Sequence, residues 1–303
     1  MEKKVNVLDH GFVQLLDVMG SDQAIVDAAR LSVSGEGVKT VSENTGLIRY
    51  LMRHYHWTPF EMVEMKFMMK MPIFVARQFV RHRTANINEM SARYSELPEE
   101  YYVPKAEDVC FQAKKNKQGR AEAADARTAD LVRRELEVDA AHAFRIYHAF
   151  LGREESRPSG WGFSDIRPII EGGGIARELA RINLPLSAYT QWVWKCDLRN
   201  IFNFLRLRMD PHAQMEIRVF ADAMAQMVKQ VVPIAYEAFE DYHLHAMTFS
   251  RQEVDVLSAL LRQISSVEEA FPDLENDSGF PTKREAVECG EKLRKIMSLG
   301  GAA

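Results

Sequence analysis

Polar side chains that suit anion binding are concentrated between residues 77 and 94. The run reads Arg77-Gln-Phe-Val-Arg-His-Arg-Thr-Ala-Asn-Ile-Asn-Glu-Met-Ser-Ala-Arg-Tyr94 and holds four arginines, a histidine, a glutamate and a serine. Guanidinium groups recognise phosphates and carboxylates through paired hydrogen bonds. An isolated Arg-His-Arg triplet is more often a solvated helix end, where cations face the helix dipole. Here Glu89, Ser91 and Arg93 occupy every second position, so in an extended segment their side chains would lie on one face. This spacing predicts a polar binding wall.

A second candidate is the segment His56-Trp-Thr-Pro-Phe-Glu61, in which a histidine, a threonine and a glutamate flank a proline turn. A lone histidine in such a turn is more often a hydrogen-bonded structural residue than an acid, a base or a ligand. This segment by itself therefore leaves the choice between structure and function open.

The third candidate lies between Cys196 and Glu216. On a helical wheel of ~100° per residue, Arg199 and Asn203 share a polar face, whereas Arg208 falls beside the apolar stripe. A cation in that position must reach solvent, pair with an acid or contact a bound ligand, because burying it alone is costly. The wheel favours a structural and a ligand-binding role for Arg208 about equally.

Composition excludes several classes of protein. The chain has 303 residues, 47% of them hydrophobic, and a net charge of −4, which argues against a general nucleic-acid binder. No stretch approaches the ~20 apolar residues that span a bilayer, and the N-terminus has no signal-peptide pattern. The three cysteines, Cys110, Cys196 and Cys289, are too widely spaced for a disulfide framework or a zinc site. We expect a soluble, cytoplasmic protein that binds no metal, no nucleic acid and no membrane.

The elements that must position these residues alternate between strands and helices. Residues 5–17 predict a hairpin around Asp9-His10-Gly11, and Ser21 predicts the start of a helix over 22–31. Residues 62–71 carry apolar side chains at every second position, which is typical of a half-buried strand. Further elements are a helix ending near residue 55, a helix over 73–83, a strand over 189–195, and helices over 198–209 and from Pro211 to about 243. The pattern predicts an α+β fold.

Two segments interrupt this pattern. Residues 111–128 are charged and rich in alanine, and residues 153–174 are rich in glycine and proline, so both are predicted to be exposed excursions. Beyond residue 249 an amphipathic tail continues to the end of the chain. We expect a single domain over residues 1–250 that contains both excursions, followed by a helical C-terminal extension over residues 251–303.

The spacing of Arg81-His-Arg, seven further residues, Ser91 and then Arg93-Tyr94 resembles the signature of the flavin-dependent thymidylate synthase family. Several other segments resemble the same family in the same order along residues ~5 to 240. They are His10-Gly-Phe-Val13, Ala29-Arg30 with Ser32, His56 with Thr58-Pro-Phe-Glu61, Pro72-Ile-Phe-Val-Ala-Arg-Gln78, Ala180-Arg-Ile-Asn-Leu-Pro185 and residues 199–216. Because several motifs occur in the same order as in the family, a chance resemblance is a poor explanation.

The resemblance implies a fold and a reaction. The fold would be a single thymidylate synthase-complementing-type α+β domain, with an antiparallel or mixed sheet and long helices. Four copies would assemble into a homotetramer whose active sites each draw residues from several subunits. The reaction would be the reductive methylation of dUMP to dTMP, with methylenetetrahydrofolate as the carbon donor. FADH2, reduced by NADPH, would supply the hydride.

The resemblance also implies the site residues. FAD would be bound by His56, Thr58, Arg81, His82, Arg83, Glu89, Asp197, Arg199 and Asn203. The substrate dUMP would be bound by Gln78, Arg81, Glu89, Ser91, Arg93, Arg181 and Arg208. Arg208 is the expected catalytic residue, because a cation beside the pyrimidine would stabilise negative charge that develops on the ring. Asp197 departs from the family pattern, in which an asparagine is frequent at this position.

Several alternatives stay open at this stage. The other class of thymidylate synthase uses a cysteine nucleophile, but no cysteine here has polar, basic neighbours that favour a thiolate. Ser91 could be a nucleophile on sequence grounds, yet no adjacent histidine and carboxylate would activate it, which favours a role in binding phosphate. A flavoprotein reductase without methyl transfer, a nucleotide or RNA binder, and a purely structural oligomer remain as competing hypotheses.

Overall fold

A computed structural model describes residues 4–31, 41–114, 119–153, 174–264, 266–272, 274 and 279–299. The strands in these residues are β1 (Lys4–Val7), β2 (Gly11–Met19), β3 (Glu64–Pro72), β4 (Asn86–Glu89), β5 (Cys110–Gln112), β6 (Arg120–Ala123) and β7 (Tyr189–Asp197). Five of them form one sheet in the order β1-β2-β3-β7-β4, and β5 pairs only with β6. Every described pairing is antiparallel. The α+β class is therefore confirmed, with an antiparallel rather than a mixed sheet.

Eleven helices are found in the described residues. They are α1 (Asp22–Leu31), α2 (Val41–Arg53), α3 (Ile73–Phe79), α4 (Ala126–Phe150), α5 (Arg177–Ala180), α6 (Leu198–Arg208), α7 (Met215–Val231), α8 (Pro233–Phe239), α9 (Arg251–Leu261), α10 (Val267–Ala270) and α11 (Lys283–Ser298). Short 3-10 turns cover Thr58–Met62, Ala106–Asp108 and Arg181–Asn183, and a π-helical turn covers Glu240–Leu244. None of these helices combines the length and the hydrophobicity needed to cross a membrane.

The central strand β3 shows how the sequence forms the sheet. Met65, Phe67, Met69 and Met71 are all buried, whereas the residues between them are only partly buried. This is the two-residue period expected of a strand with one face in the core. Strand β3 pairs with β2 on one side and with β7 on the other, and Phe67 lies opposite Trp194 in the register. The predicted strand over 62–71 is therefore found, displaced by about two residues at its start.

Aromatic packing joins the helices that carry the candidate site to this sheet. Trp194 on β7 packs against Phe204 on α6, with ring centroids 5.8 Å apart. Phe79, the last residue of α3, lies 4.6 Å from the same Phe204 ring. All three rings are buried, and aromatic pairs at this spacing stabilise the fold by more than the burial of their apolar area alone. The ends of α3 and α6 are thereby held side by side.

Three predicted elements differ from the structure. Helix α3 ends at Phe79 rather than near Arg83, so the Arg-His-Arg triplet follows the helix in a turn. The helix expected from Pro211 to about residue 243 is divided into α7, α8 and the π-helical turn, and Pro233 begins α8. Proline lacks the N–H that would continue the preceding helix. The sequence contained this signal, and the single long helix was the wrong prediction.

The first predicted excursion has more structure than expected. Strands β5 and β6 form an antiparallel pair, and α4 begins at Ala126 with Asp125 as its N-cap. On β6, Arg120 makes an ion pair with Glu216, which is buried in the first turn of α7. The strand pair is thus anchored to the main body. Most of the second excursion, residues 154–173, lies outside the described residues.

Candidate active site

A cleft of about 570 Å³ opens beside the N-terminal half of α6. Arg199 and Asn203, two of the predicted flavin ligands, line it from the helix. Tyr55 and Trp57 line it from the segment after α2, and they flank His56 in the sequence. The segment around His56 therefore borders the same cleft as Arg199 and Asn203, although the predicted ligands His56 and Thr58 are not among the lining residues. The remaining lining residues are Asn200, Phe202, Arg206, Phe239, Tyr242, His243, Ala246 and Thr248.

Local contacts orient the charged groups at this cleft. The Arg199 guanidinium donates to Glu61 Oε1 at 2.5 Å, and both side chains are substantially exposed. Glu61 belongs to the 3-10 turn that begins at Thr58 with Pro59 in its first turn. A proline suits that position because its N–H would be unpaired there in any case. This ion pair joins the His56–Glu61 motif to α6.

Asp197 has a clear structural function in this chain. Its Oδ1 accepts a hydrogen bond from the backbone N–H of Asn200 at 3.0 Å, and its Oδ2 accepts one from the Asn200 side chain at 2.7 Å. It is therefore the N-cap of α6, where an acidic group also faces the positive end of the helix dipole. Both carboxylate oxygens are engaged within the chain, and the contact of Asp197 with a flavin stays a prediction.

A basic cluster lies where α3 and α6 end. The Arg208 Nε donates to Nε2 of His82 at 3.0 Å, and the His82 ring packs edge-on against Phe204 at 4.8 Å. Burial, together with the nearby charge of Arg208, lowers the pKa of His82 to about 4. The imidazole is therefore neutral near pH 7 and accepts through Nε2, which puts its proton on Nδ1.

The charges in this basic cluster lack a negative partner. Burial and then the charge of Arg81 lower the pKa of Arg208, which places the two guanidinium groups near each other. Arginine stays protonated at neutral pH even so. Among the described residues no carboxylate lies within ion-pair distance of Arg81 or Arg208. Two neighbouring cations beside a neutral histidine form a site that favours an anion.

A second cleft of about 400 Å³ connects this cluster to the first cleft. Arg208, Asp210 and His212 line it, and Arg206 and His243 line both clefts. Arg206 has no ion-pair partner in the described part of the chain. The candidate flavin cleft and the catalytic candidate are therefore contiguous along one side of α6.

Two further predicted ligands lie near these residues. The side chain of Gln78, on α3, donates to Gln214 Oε1 at 2.6 Å, just before α7 begins. Glu89, the last residue of β4, accepts a hydrogen bond from the Thr190 hydroxyl at 2.6 Å. The first contact lies at the surface, whereas the second joins exposed Glu89 to buried Thr190, and each fixes the direction in which its ligand candidate points. Arg83 is exposed and has no ion pair with any described residue.

The remaining substrate candidates form a separate group. Strand β4 ends at Glu89, and the backbone N–H of Tyr94 bonds to Ser91 O at 3.0 Å, so residues 91–94 form a turn. The predicted polar wall, which needed an extended chain through Arg93, is therefore wrong. Within the turn the Ser91 hydroxyl accepts from the Arg93 backbone N–H, and the Arg93 side chain pairs with Glu178 at 3.5 Å. Glu178 precedes Arg181, which is exposed.

The structure thus brings the candidates together in two groups. One contains the cleft residues and the basic cluster along α6, and the other contains Ser91, Arg93 and Arg181. No hydrogen bond or ion pair between described residues joins the two groups. Direct side-chain contacts within the described residues therefore do not join the two halves of the expected site.

Sequence reasoning missed the aromatic wall of the cleft. Tyr55, Trp57 and His243 contact one another, with Trp57 and His243 at 4.9 Å and Tyr55 and His243 at 5.5 Å between ring centroids. Tyr242 completes the wall. These residues are almost 190 positions apart, and His243 is brought in by the π-helical turn. No local periodicity predicts such a turn, although the clustering of rings near a polar motif was visible.

Comparison with known proteins identifies the family. Residues 14–234 match the family described as thymidylate synthase complementing protein. The chain belongs to this family. A flavin-dependent thymidylate synthase of Ruegeria pomeroyi is 52% identical over 255 residues, which are 84% of this chain and 79% of the relative. One of Rickettsia bellii is 47% identical over 296 residues, which are 97% of this chain and 93% of the relative.

A solved structure is also similar. The UMP/dUMP methylase PolB from Streptomyces cacaoi, bound with 5-Br dUMP, has a TM-score of 0.66 and 32% sequence identity. The similarity covers 79% of this chain and 99% of that chain. The family resemblance found in the sequence is therefore confirmed. So are the assignment of the chain as an enzyme and its function as a flavin-dependent thymidylate synthase.

Proposed function

We propose that the chain converts dUMP to dTMP with FAD as its flavin, methylenetetrahydrofolate as its one-carbon donor and NADPH as its source of reducing equivalents. The observation that carries the proposal is the basic cluster of Arg81, His82 and Arg208, which has two cations and no negative partner among the described residues. Such a cluster next to an aromatic cleft suits a nucleotide, which has a phosphate and a flat ring.

The cleft fits the chemistry of FAD. Its lining combines arginines for a pyrophosphate, an amide for hydrogen bonding and aromatic faces for ring stacking. In our proposal Arg199 and Asn203 on α6, with His56 and Thr58 from the opposite segment, hold the cofactor. Arg81, His82, Arg83 and Glu89, with Asp197 at the start of α6, are the other proposed ligands. When bound in its reduced form, FAD supplies the hydride that completes the methyl group.

The substrate residues have distinct tasks in this proposal. Ser91, Arg93 and Arg181 bind the dUMP phosphate, because a hydroxyl and two guanidinium groups match its oxygens. Gln78, Arg81 and Glu89 hold the nucleoside. Arg208 stabilises the negative charge that develops on the pyrimidine ring as C5 attacks the methylene carbon. Neutral His82 supports this task because it accepts from Arg208 Nε and orients the guanidinium without neutralising it.

The division of the candidates into two groups bears on assembly. We propose a homotetramer, in which Ser91, Arg93 and Arg181 of one subunit complete a site whose cofactor cleft and Arg208 belong to another. Closed, symmetric assemblies are the common form of soluble oligomers, and each interface then occurs in several equivalent copies. A cytoplasmic location, where thiols stay reduced, suits the three free cysteines.

A reconstitution assay tests the proposal. The purified protein is stripped of flavin and incubated anaerobically with dUMP, methylenetetrahydrofolate and NADPH, with or without added FAD, and dTMP is measured by chromatography. We expect dTMP only when FAD is present. FAD that binds and is reduced without any dTMP would instead identify a flavoprotein reductase, and dTMP made equally well without flavin would contradict the proposed cofactor.

A further inference from the structure

Buried ion pairs join the C-terminal helix α11 to α2. Arg49 on α2 is only 1% exposed and Glu285 on α11 only 5%. The Arg49 Nε donates to Glu285 Oε1 at 2.8 Å, and its Nη2 donates to Oε2 at 3.0 Å, so the pair is bidentate. Removing one partner of such a buried pair leaves an uncompensated charge, which makes the contact costly to break.

A second pair repeats the arrangement one helical turn later. Arg53 donates to both oxygens of Glu288, at 2.5 and 2.9 Å. The hydrogen bonds from Arg53 lower the pKa of Glu288 to about 2, so this carboxylate is ionised at any ordinary pH. Residues four apart on α2 thus meet residues three apart on α11, and both spacings lie on one face of a helix. The two pairs fix the position of α11 along α2.

The same two arginines also reach the wall of the candidate flavin cleft. Arg53 Nη1 donates to the Tyr242 hydroxyl at 3.1 Å, and Arg49 Nη2 donates to Asp241 at 2.5 Å. Tyr242 lines the cleft together with Arg199 and Asn203. Each arginine therefore contacts α11 on one side and the π-helical turn of the cleft wall on the other.

The segment after α2 is fixed by related contacts. The Arg284 guanidinium of α11 lies over the Tyr50 ring at 4.2 Å, and Tyr50 is stacked with His56 at 6.0 Å. Tyr55 has φ of 61°, in the left-handed region that costs a bulky residue free energy. Such a conformation persists only where the surroundings hold it in place. The stacking of Tyr50 on His56 supports the backbone directly after Tyr55.

We propose that α11 is a positioning element for the flavin site. Glu285 and Glu288 hold Arg49 and Arg53, and these in turn set Tyr242 and the segment 54–58 in the arrangement that receives FAD. The inference rests on the proposed flavin site and extends it to a helix outside residues 14–234, which match the family. It gives the C-terminal extension a function in cofactor binding, beyond its own folding.

The test uses the full chain with Glu288→Gln, which keeps the shape of the side chain and removes its charge. Two quantities are measured: the FAD dissociation constant, from the quenching of flavin fluorescence, and hydrogen exchange of residues 50–58 in flavin-free protein. We expect FAD binding to weaken by about tenfold and exchange in 50–58 to become faster. The matched control is Glu268→Gln, which removes the exposed partner of Arg294 on the same extension and leaves both quantities unchanged.

The outcomes separate this inference from the proposed function. If the wild type binds FAD and Glu288→Gln binds it equally well, with unchanged exchange in 50–58, the positioning role is overturned, even if thermal stability falls. If the wild type binds no FAD, the proposed cofactor site is overturned, and this inference fails with it. Should Glu288→Gln not fold, Tyr242→Phe serves instead. It removes only the hydroxyl that Arg53 contacts, and we expect weaker FAD binding in the folded protein.

Discussion

Arg208 combines partial burial, a neighbouring cation and a neutral hydrogen-bond partner, and this combination argues for a role in chemistry. A surface arginine would ordinarily lie in water or pair with a carboxylate, but Arg208 is partly buried and has no carboxylate partner among the described residues. The helical wheel drawn from the sequence favoured a structural role and a ligand-binding role for Arg208 about equally. The structure adds the proximity of Arg81, which a helical wheel of α6 cannot show because α3 is more than a hundred residues away.

Replacing Arg208 with alanine is expected to reduce the rate of dTMP formation by about 10²–10³, the usual effect of removing one charge-stabilising group. FAD binding should change little, because the first cleft is lined by other residues. Steady-state kinetics and flavin fluorescence measure the two effects. The matched control is Arg251→Ala, whose side chain is 82% exposed and, among the described residues, forms an ion pair only with Asp255. A rate for Arg208→Ala close to that of the control would remove Arg208 from the mechanism.

His82 gives the protein a predictable dependence of stability on pH. Its folded pKa of about 4 lies below the unfolded value near 6.5, because burial and the charge of Arg208 oppose protonation. Between these values the unfolded chain binds more protons, so the free energy of unfolding should rise as pH increases from about 4 to 6.5. Urea denaturation across this range measures the slope. His82→Gln should flatten it, and an unchanged slope in this variant would contradict the neutral imidazole.

Among the elements, α6 has the most direct connection to function, since its beginning is at the flavin cleft and its end is Arg208. Its N-cap, Asp197, accepts two hydrogen bonds from Asn200. Asp197→Ala should lower the free energy of unfolding by about 1 kcal/mol, whereas Asp197→Asn should preserve most of it, because asparagine is an equally good cap. Chemical denaturation checks this. Equal losses in the two variants would mean that the charge, not the cap, is important.

Much of the fold could be predicted because its signals are local. Helix α1 has the predicted bounds of 22–31, and β3 and β7 follow from alternating and aromatic residues. The end of α3 was misplaced because the residue types of Arg81 to Arg83 are compatible with either a helix or a turn, and the helix ends at Phe79. The π-helical turn that brings His243 to the cleft depends on tertiary contacts, so no local pattern could reveal it.

The site was predictable only through motifs. Tyr55 and Trp57, which flank His56 in the sequence, line the same cleft as Arg199 and Asn203, and flavin binding by His56 and Thr58 stays a prediction. Geometry among distant segments, such as the Arg208 contact with His82, needed the folded structure. The turn at residues 91–94 could also be found only in the folded structure. Ser91 and Arg93 are two positions apart, as polar residues on one face of a strand would be, and nothing in this spacing favours a turn.

At the scale of the whole molecule, the separation of the two groups of ligands predicts sharing of sites between subunits. Arg208→Ala and Arg181→Ala chains should each be nearly inactive alone. When the two are co-refolded, about a quarter of the sites should regain both arginines if each residue comes from a different subunit of a symmetric oligomer. The assay is dTMP formation, with sedimentation equilibrium to confirm a tetramer. Mixtures that stay inactive would mean that one subunit supplies both arginines to each site.

A single-turnover experiment tests the central claim, flavin-dependent synthesis of dTMP, most directly. The flavin of the FAD-loaded protein is reduced photochemically without NADPH, and dUMP and methylenetetrahydrofolate are then added anaerobically while flavin absorbance and dTMP are followed. We expect one dTMP for each flavin reoxidised, because the methylene carbon and one hydride together complete the methyl group. Flavin reoxidised without dTMP, or dTMP formed while the flavin stays reduced, would contradict the account.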